Sequence, residues 1–123
     1  MPIPASVTDA ATSNFAALKC PHCGEMYLHQ ENVTIYHRAE DARYTVVMAQ
    51  NGHDMVVTKF PSEEVMNPSS RRHGIVIEFW CEYCNMEYTS VDSAGNETQM
   101  NKGAEPLKLA IYQHKGYTLM EWV

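Results

Sequence analysis

No stretch of this chain approaches the 18 consecutive apolar residues that a membrane-crossing helix requires, so no membrane partner is expected. There is no low-complexity run. A surplus of positive charge is also missing. Nine Lys and Arg stand against 15 Asp and Glu, a formal net charge of −6. That balance argues against a surface that is one continuous nucleic-acid footprint, while a local basic patch stays open. The H-x-x-x-H and H-E-x-x-H spacings of metal-dependent hydrolases do not occur among the six histidines. Cysteine is scarce too: there are four, and none lies outside two short stretches.

Those two stretches organise the chain. They are Cys20-Pro21-His22-Cys23-Gly24 and Cys81-Glu82-Tyr83-Cys84-Asn85. Each C-x-x-C knuckle turns two sulfurs toward one point, and two knuckles supply four soft ligands for tetrahedral Zn²⁺, at about 2.3 Å per bond. The residue after the second cysteine often needs positive φ. Glycine takes that at no steric cost and asparagine is the next most tolerant, which suits Gly24 and Asn85. A tyrosine follows four positions beyond each second cysteine, at Tyr27 and Tyr88. Four cysteines also admit two disulfides or a redox role in an exported chain. However, Met1 to Val7 offers neither a basic region nor a signal-like apolar run, so a reducing, cytoplasmic location is expected. The expectation is therefore one structural Zn²⁺ on Cys20, Cys23, Cys81 and Cys84. With four thiolates on the ion, the net charge becomes about −8.

At 123 residues and 45% hydrophobic composition, the chain has enough for one domain with a modest core. Residues 1–17 mix proline with small and polar residues and read as a flexible N-terminal arm, within which Asp9 is placed to cap a short helix. Residues 18–123 then form a single β-domain. Alternation predicts strands at 33–38, at 43–49 and at 55–60, the last two joined as a hairpin through a type I′ turn at Asn51-Gly52. Pro61 ends that hairpin, and Ser62 to Met66 suits one helical turn before Asn67-Pro68. The strongest strand, Ile75 to Trp80, runs into the second knuckle, with Trp80 expected to be buried beside the metal. Residues 92–106 read as a long exposed loop around Asp92 to Asn96, and 107–122 as a C-terminal hairpin. Met26, Met48, Met55, Met86 and Met120 fall in strand patterns and suit core filling.

Two C-x-x-C hairpins around one metal resemble a zinc ribbon. The blocks Leu18 to Gly24, Asn67 to Gly74, Phe79 to Cys84 and Gln113 to Gly116 resemble those of a group of short bacterial and prophage proteins, over residues 18–122. That resemblance implies the zinc ligands and carries no activity. About 57 residues separate Cys23 from Cys81, far more than a minimal ribbon needs, so the middle region is expected to enlarge the sheet. The fold class is thus all-β: a zinc ribbon with an enlarged antiparallel sheet and little helix.

Among exposed features, Arg71-Arg72-His73 after Pro68-Ser69-Ser70 is the most suggestive. Adjacent arginines on a loop grip phosphate or carboxylate with planar paired donors. Tyr83 and Tyr27 are candidates to stack bases nearby, with Lys59 adding charge. The plainer alternative is an arginine pair bonded to local acids such as Glu78 or Glu82. Trp122 either seals the sheet or anchors a partner. His22 and His114 are expected in solvent. His29, His37, His53 and His73, joined by Asp41 or Asp54, would be needed for a hydrolytic second metal site. The leading expectation is a non-enzymatic, zinc-stabilised module that docks on a protein partner, with nucleic-acid machinery as one source of that partner. Direct nucleic-acid binding through Arg71 and Arg72 is the alternative, and a small metal-dependent hydrolase the third.

Overall fold

A computed structural model describes residues 3–9, 16–84, 87–101 and 106–123. These residues are nearly all β, with one 3-10 turn at Ser62–Glu64 where the helical turn was predicted. The strands are β1 (Ile3–Pro4), β2 (Val7–Asp9), β3 (Ala16–Leu18), β4 (Leu28–His37), β5 (Tyr44–Asn51), β6 (Asp54–Pro61), β7 (Gly74–Cys81), β8 (Glu87–Val91), β9 (Glu97–Asn101), β10 (Leu107–His114) and β11 (Tyr117–Trp122). Seven of them make one antiparallel sheet in the order β1-β11-β10-β7-β4-β5-β6, and β2-β3 and β8-β9 are separate pairs. No helix is long and apolar enough to cross a membrane among the described residues.

Strand alternation explains the sheet's apolar face. Directly paired residues point the same way. Following the pairs across the sheet gives one unbroken apolar row: Val57, Met48, Ile35, Ile75, Ile111 and Met120. Toward the cysteine end, Phe79, Leu109 and Trp122 are buried, covered by Ala5, Leu18 and Leu28. Trp122 meets Phe79 edge-on at 5.8 Å between ring centroids, a favourable aromatic geometry. Of its two expected roles, Trp122 thus takes the sealing one.

Of residues 1–17, expected as an arm, Ile3–Pro4 lies beside Trp122 and Glu121, and Val7–Asp9 beside Ala16–Leu18. Asp9 is a strand residue, and residues 10–15 of the expected helix lie outside the described residues. Three other expectations change. The β5-β6 turn is Gly52-His53, one position later than predicted, because Asn51 pairs with Asp54. Only Gly52 of the two takes positive φ, at 66°, which suits a type II′ turn rather than type I′. The type I′ requirement is met instead at Lys115 (48°) and Gly116 (82°), which join β10 to β11. Finally, residues 92–106 are not all loop. Asp92 Oδ1 accepts hydrogen bonds from the amides of Ala94 and Asn96, folding a tight turn, and Glu97–Asn101 returns antiparallel to Glu87–Val91.

After β6 the chain must return past β5 and β4 to place β7 on the far side of β4. Residues 62–73 make this crossing, held by hydrogen bonds at each step. Ser62 Oγ donates to the Ala42 carbonyl and lies 2.8 Å from Oγ1 of the buried Thr45. Ser69 Oγ, also buried, donates to the Gln113 carbonyl and accepts from the amides of Arg71 and Arg72. Asn67 and Pro68 fold back so closely on buried Gly74 that a Cβ there would sit 2.7–2.8 Å from the Pro68 ring carbons, and nearer still to Asn67 Oδ1. Glycine is therefore required where β7 begins. Gly74→Ala is expected to cost about 1–3 kcal/mol as an overpacked site, read from the denaturant midpoint of unfolding.

Candidate metal centre and recognition surfaces

The register of β4 against β7 brings the two knuckles together. The first knuckle ends just before β4 starts, and the second begins where β7 stops. Leu28 stands opposite Cys81 in that antiparallel pair, so both knuckles emerge at the same end. In the first, the Gly24 amide donates to the Cys20 carbonyl at 3.0 Å and the Cys20 amide to the Glu25 carbonyl at 2.8 Å. Gly24 takes φ of 77°, as its place after Cys23 required. The matching position, Asn85, lies outside the described residues, as does the side chain of Tyr88. The Glu82 amide donates to the Tyr27 carbonyl, tying one knuckle to the other.

All four sulfurs lie within 4.8 Å of one another, with Cys20 Sγ 3.7 Å from Cys84 Sγ and Cys23 Sγ 3.5 Å from Cys81 Sγ. A tetrahedron with 2.3 Å metal–sulfur bonds has sulfur–sulfur edges of about 3.8 Å. The cluster fits one ion in such a cage, and none of the four is in a disulfide. Cys20, Cys81 and Cys84 are buried and Cys23 is exposed. Burial pushes the Cys81 and Cys84 thiols up, so without a cation these groups stay protonated. A divalent ion reverses that by coordinating the thiolates. The His22 amide also points at Cys20 Sγ, at 3.4 Å. The His22 side chain faces solvent, as expected.

Beside this centre, Tyr27 and Tyr83 come together with ring centroids 5.6 Å apart, both exposed. Trp80 is half-buried rather than buried against the cysteines. It points to the sheet face opposite Phe79 and stacks under His29 at 4.1 Å, whose Nε2 lies 2.9 Å from Glu82 Oε1.

Arg71, Arg72 and His73 lie elsewhere. They precede Gly74 at the start of β7, while the knuckle follows its end, so the strand's length sets them about 24 Å from the cysteines. The expected joint surface of Arg71, Arg72, Tyr27 and Tyr83 is therefore two separate surfaces. The arginines do bond to acids, but to Asp41 and Glu40 of the β4-β5 connection rather than Glu78 or Glu82. Arg71 grips Asp41 with two donors, Nε at 2.8 Å from Oδ1, and Arg72 reaches Glu40 Oε2 at 2.8 Å. Glu78 instead accepts from Asn32 and lies near Lys108. The hydrogen bond from Arg71 holds the Asp41 carboxyl below its usual range. Arg38 completes the network by donating to the carbonyls of Ala42 and Ser70.

His73 Nδ1 accepts the Arg38 amide at 2.9 Å, and its ring lies 4.5 Å from that of His37. Among the described residues, no third histidine, cysteine or carboxylate joins this pair as a metal-ligand set. Lys59 sits on β6 with its ammonium 4.7 Å from the Tyr44 ring centroid. Met48 is half-buried in the apolar row, while Met55 and Met120, expected as core filling, are exposed. Met86 lies outside the described residues. Sequence reasoning missed Asp41 and Glu40 as partners of the arginines. The signal was an acidic pair in a connection between two strands, which becomes informative only once the crossing loop is placed.

Purified metal-loaded protein is expected to hold one ion per chain by elemental analysis. Cys20→Ser, Cys84→Ser or exhaustive chelation should unfold it, because structural zinc binding of about 10–16 kcal/mol is comparable to a whole domain's stability. Circular dichroism unchanged after chelation would contradict this. The Asp41 carboxyl, with its folded pKa depressed below 3.8, contributes stability that is present above that value and lost as pH falls through the folded pKa. Asp41→Asn should therefore flatten the acid limb of the stability profile in that window. No family model, curated protein or solved structure matches the chain.

Proposed function

We propose that this protein is a non-enzymatic recognition module, stabilised by one structural Zn²⁺ on Cys20, Cys23, Cys81 and Cys84, that docks on a protein partner. Its zinc-ribbon character rests on the paired knuckles and their tetrahedral sulfur spacing. Four thiolates close the coordination sphere, which leaves no position for a substrate or an activated water. The metal's role is then to hold the ends of β4 and β7 together.

The observation that carries the choice of partner is the pairing of Arg71 and Arg72 with Asp41 and Glu40. Arginines already gripped by carboxylates are poor footholds for a phosphate backbone, and the overall charge of −6 works in the same direction. The exposed surface beside the metal is aromatic instead. Tyr27 and Tyr83 form an amphipathic pair of the kind enriched at protein interfaces, fixed on a metal-braced turn.

Affinity capture with the zinc-loaded chain tests this. Tyr27→Ala/Tyr83→Ala is expected to weaken the captured complex at least ~10-fold, a loss typical of interface aromatics, with metal content and circular dichroism unchanged. Arg71→Ala/Arg72→Ala should leave it intact. Binding to single- or double-stranded nucleic acid that falls steeply with salt, and that the arginine variant abolishes, would instead establish the nucleic-acid reading.

A further inference from the structure

The outer edge of β6 is the longest open strand edge in the seven-stranded sheet, and its chemistry is that of a pairing strand. All of Asp54 to Phe60 is exposed, with Met55 at 49%, Val57 at 60% and apolar side chains on both faces. The opposite side of the sheet is shielded in part by β1, which carries Pro4. Long apolar edges with unpaired backbone groups normally carry blocking devices such as an outward lysine or an internal proline. Here the one lysine, Lys59, reaches back across the sheet over the Tyr44 ring on β5, away from the edge.

The phase of the free backbone groups follows from the hairpin. A two-residue loop is flanked by a hydrogen-bonded pair, here Asn51 and Asp54, and such pairs recur at every second residue. The Ser62 amide, donating to the Arg43 carbonyl at 2.9 Å, falls on the same even phase. So Asp54, Val56, Thr58 and Phe60 bond to β5, while Met55, Val57 and Lys59 turn their N–H and C=O groups outward. Pro61, which has no N–H to offer, falls on the outward phase and ends the edge.

We infer that the β6 edge pairs with β6 of a second copy of this chain, antiparallel about a two-fold axis at Val57. A two-fold axis normal to the sheet keeps each face on its own side, so only residues of like parity can stand opposite one another. With Val57 facing Val57 of the second copy, Met55 stands opposite Lys59, Val56 opposite Thr58, and Asp54 opposite Phe60. This register uses the whole strand, because Val57 is the midpoint of Asp54 to Phe60. It closes all the outward groups of Met55, Val57 and Lys59 in hydrogen bonds. It also sets the like charges apart: each Lys59 stands opposite the uncharged Met55, and the two Asp54 residues lie at opposite ends. The apolar row through Met48, Ile35, Ile75 and Ile111 then continues across the axis into the second sheet.

Sedimentation of the zinc-loaded full chain over about 1–500 µM is expected to show a monomer–dimer equilibrium, as suits an interface at the small end of the specific range. Val57→Lys places two ammonium groups face to face at the axis and should raise the dissociation constant at least ~10-fold. Because Val57 is exposed, the variant's circular dichroism and metal content should match the native chain. Met55→Glu faces Lys59 of the second copy twice and should tighten the dimer, whereas Met55→Lys should loosen it. This pair also serves if Val57→Lys fails to fold. A monomer at every concentration, a dimer indifferent to Val57→Lys, or equal effects of the two Met55 variants would overturn the inference.

Discussion

Antiparallel pairing of β4 with β7 is the constraint on which the rest of the structure depends, because it decides that two knuckles far apart in sequence share one corner of the sheet. Setting Leu28 against Cys81 places both C-x-x-C turns at the same strand ends, and their sulfurs then fall at tetrahedral spacing. The dependence runs both ways. The buried residues are few, and three of them are Cys20, Cys81 and Cys84. A metal bound there is part of the core, and it offsets the entropy of closing the long loop between the knuckles.

The same pairing creates a second problem, at the far end of the sheet. Since β5 and β6 grow outward from β4 on one side, the chain must cross over to begin β7 on the other. The block from Asn67 to Gly74 is shaped by that crossing. Ser69 gathers three backbone groups, Gly74 admits the fold of Asn67 and Pro68 against it, and Arg71 and Arg72 fasten the loop to Asp41 and Glu40. Two arginines that look like a ligand grip in one dimension are brackets in three. Exposed ion pairs of this kind contribute little each, and their value here is geometric.

With the arginines paired to carboxylates, two exposed aromatic or aliphatic features stand out among the described residues. Tyr27 and Tyr83 lie beside the cysteine cluster, and the free edge of β6 forms one side of the sheet. The first surface sits on two knuckles that the Glu82 to Tyr27 backbone bond ties together beside the four clustered sulfurs. The other is a strand whose inner half is satisfied by β5 and whose outer half is not.

Local chemistry alone carried several features into the sequence. Cysteine spacing named the four sulfurs, alternation named β4 to β7 and the C-terminal hairpin, and Gly24 marked backbone that needs positive φ. These are legible because each depends on residues within a few positions of one another. The Gly52-His53 turn escaped by one residue, since register belongs to the pairing of Asn51 with Asp54 and not to the dipeptide. Partners far apart in sequence were beyond reach in the same way: which acids hold Arg71 and Arg72, that Trp80 lies under His29 while Trp122 is buried on Phe79, and that Tyr27 meets Tyr83. The sequence by itself determined the four cysteines that cluster and the strands β4 to β7, β10 and β11, though not β1 to β3, β8 or β9, because covalent neighbours set local backbone and side-chain chemistry. Only the tertiary structure decided which strand lies beside which, and with it the separation of the arginine loop from the metal by the length of β7, because strand order is fixed by long-range burial that no local pattern encodes.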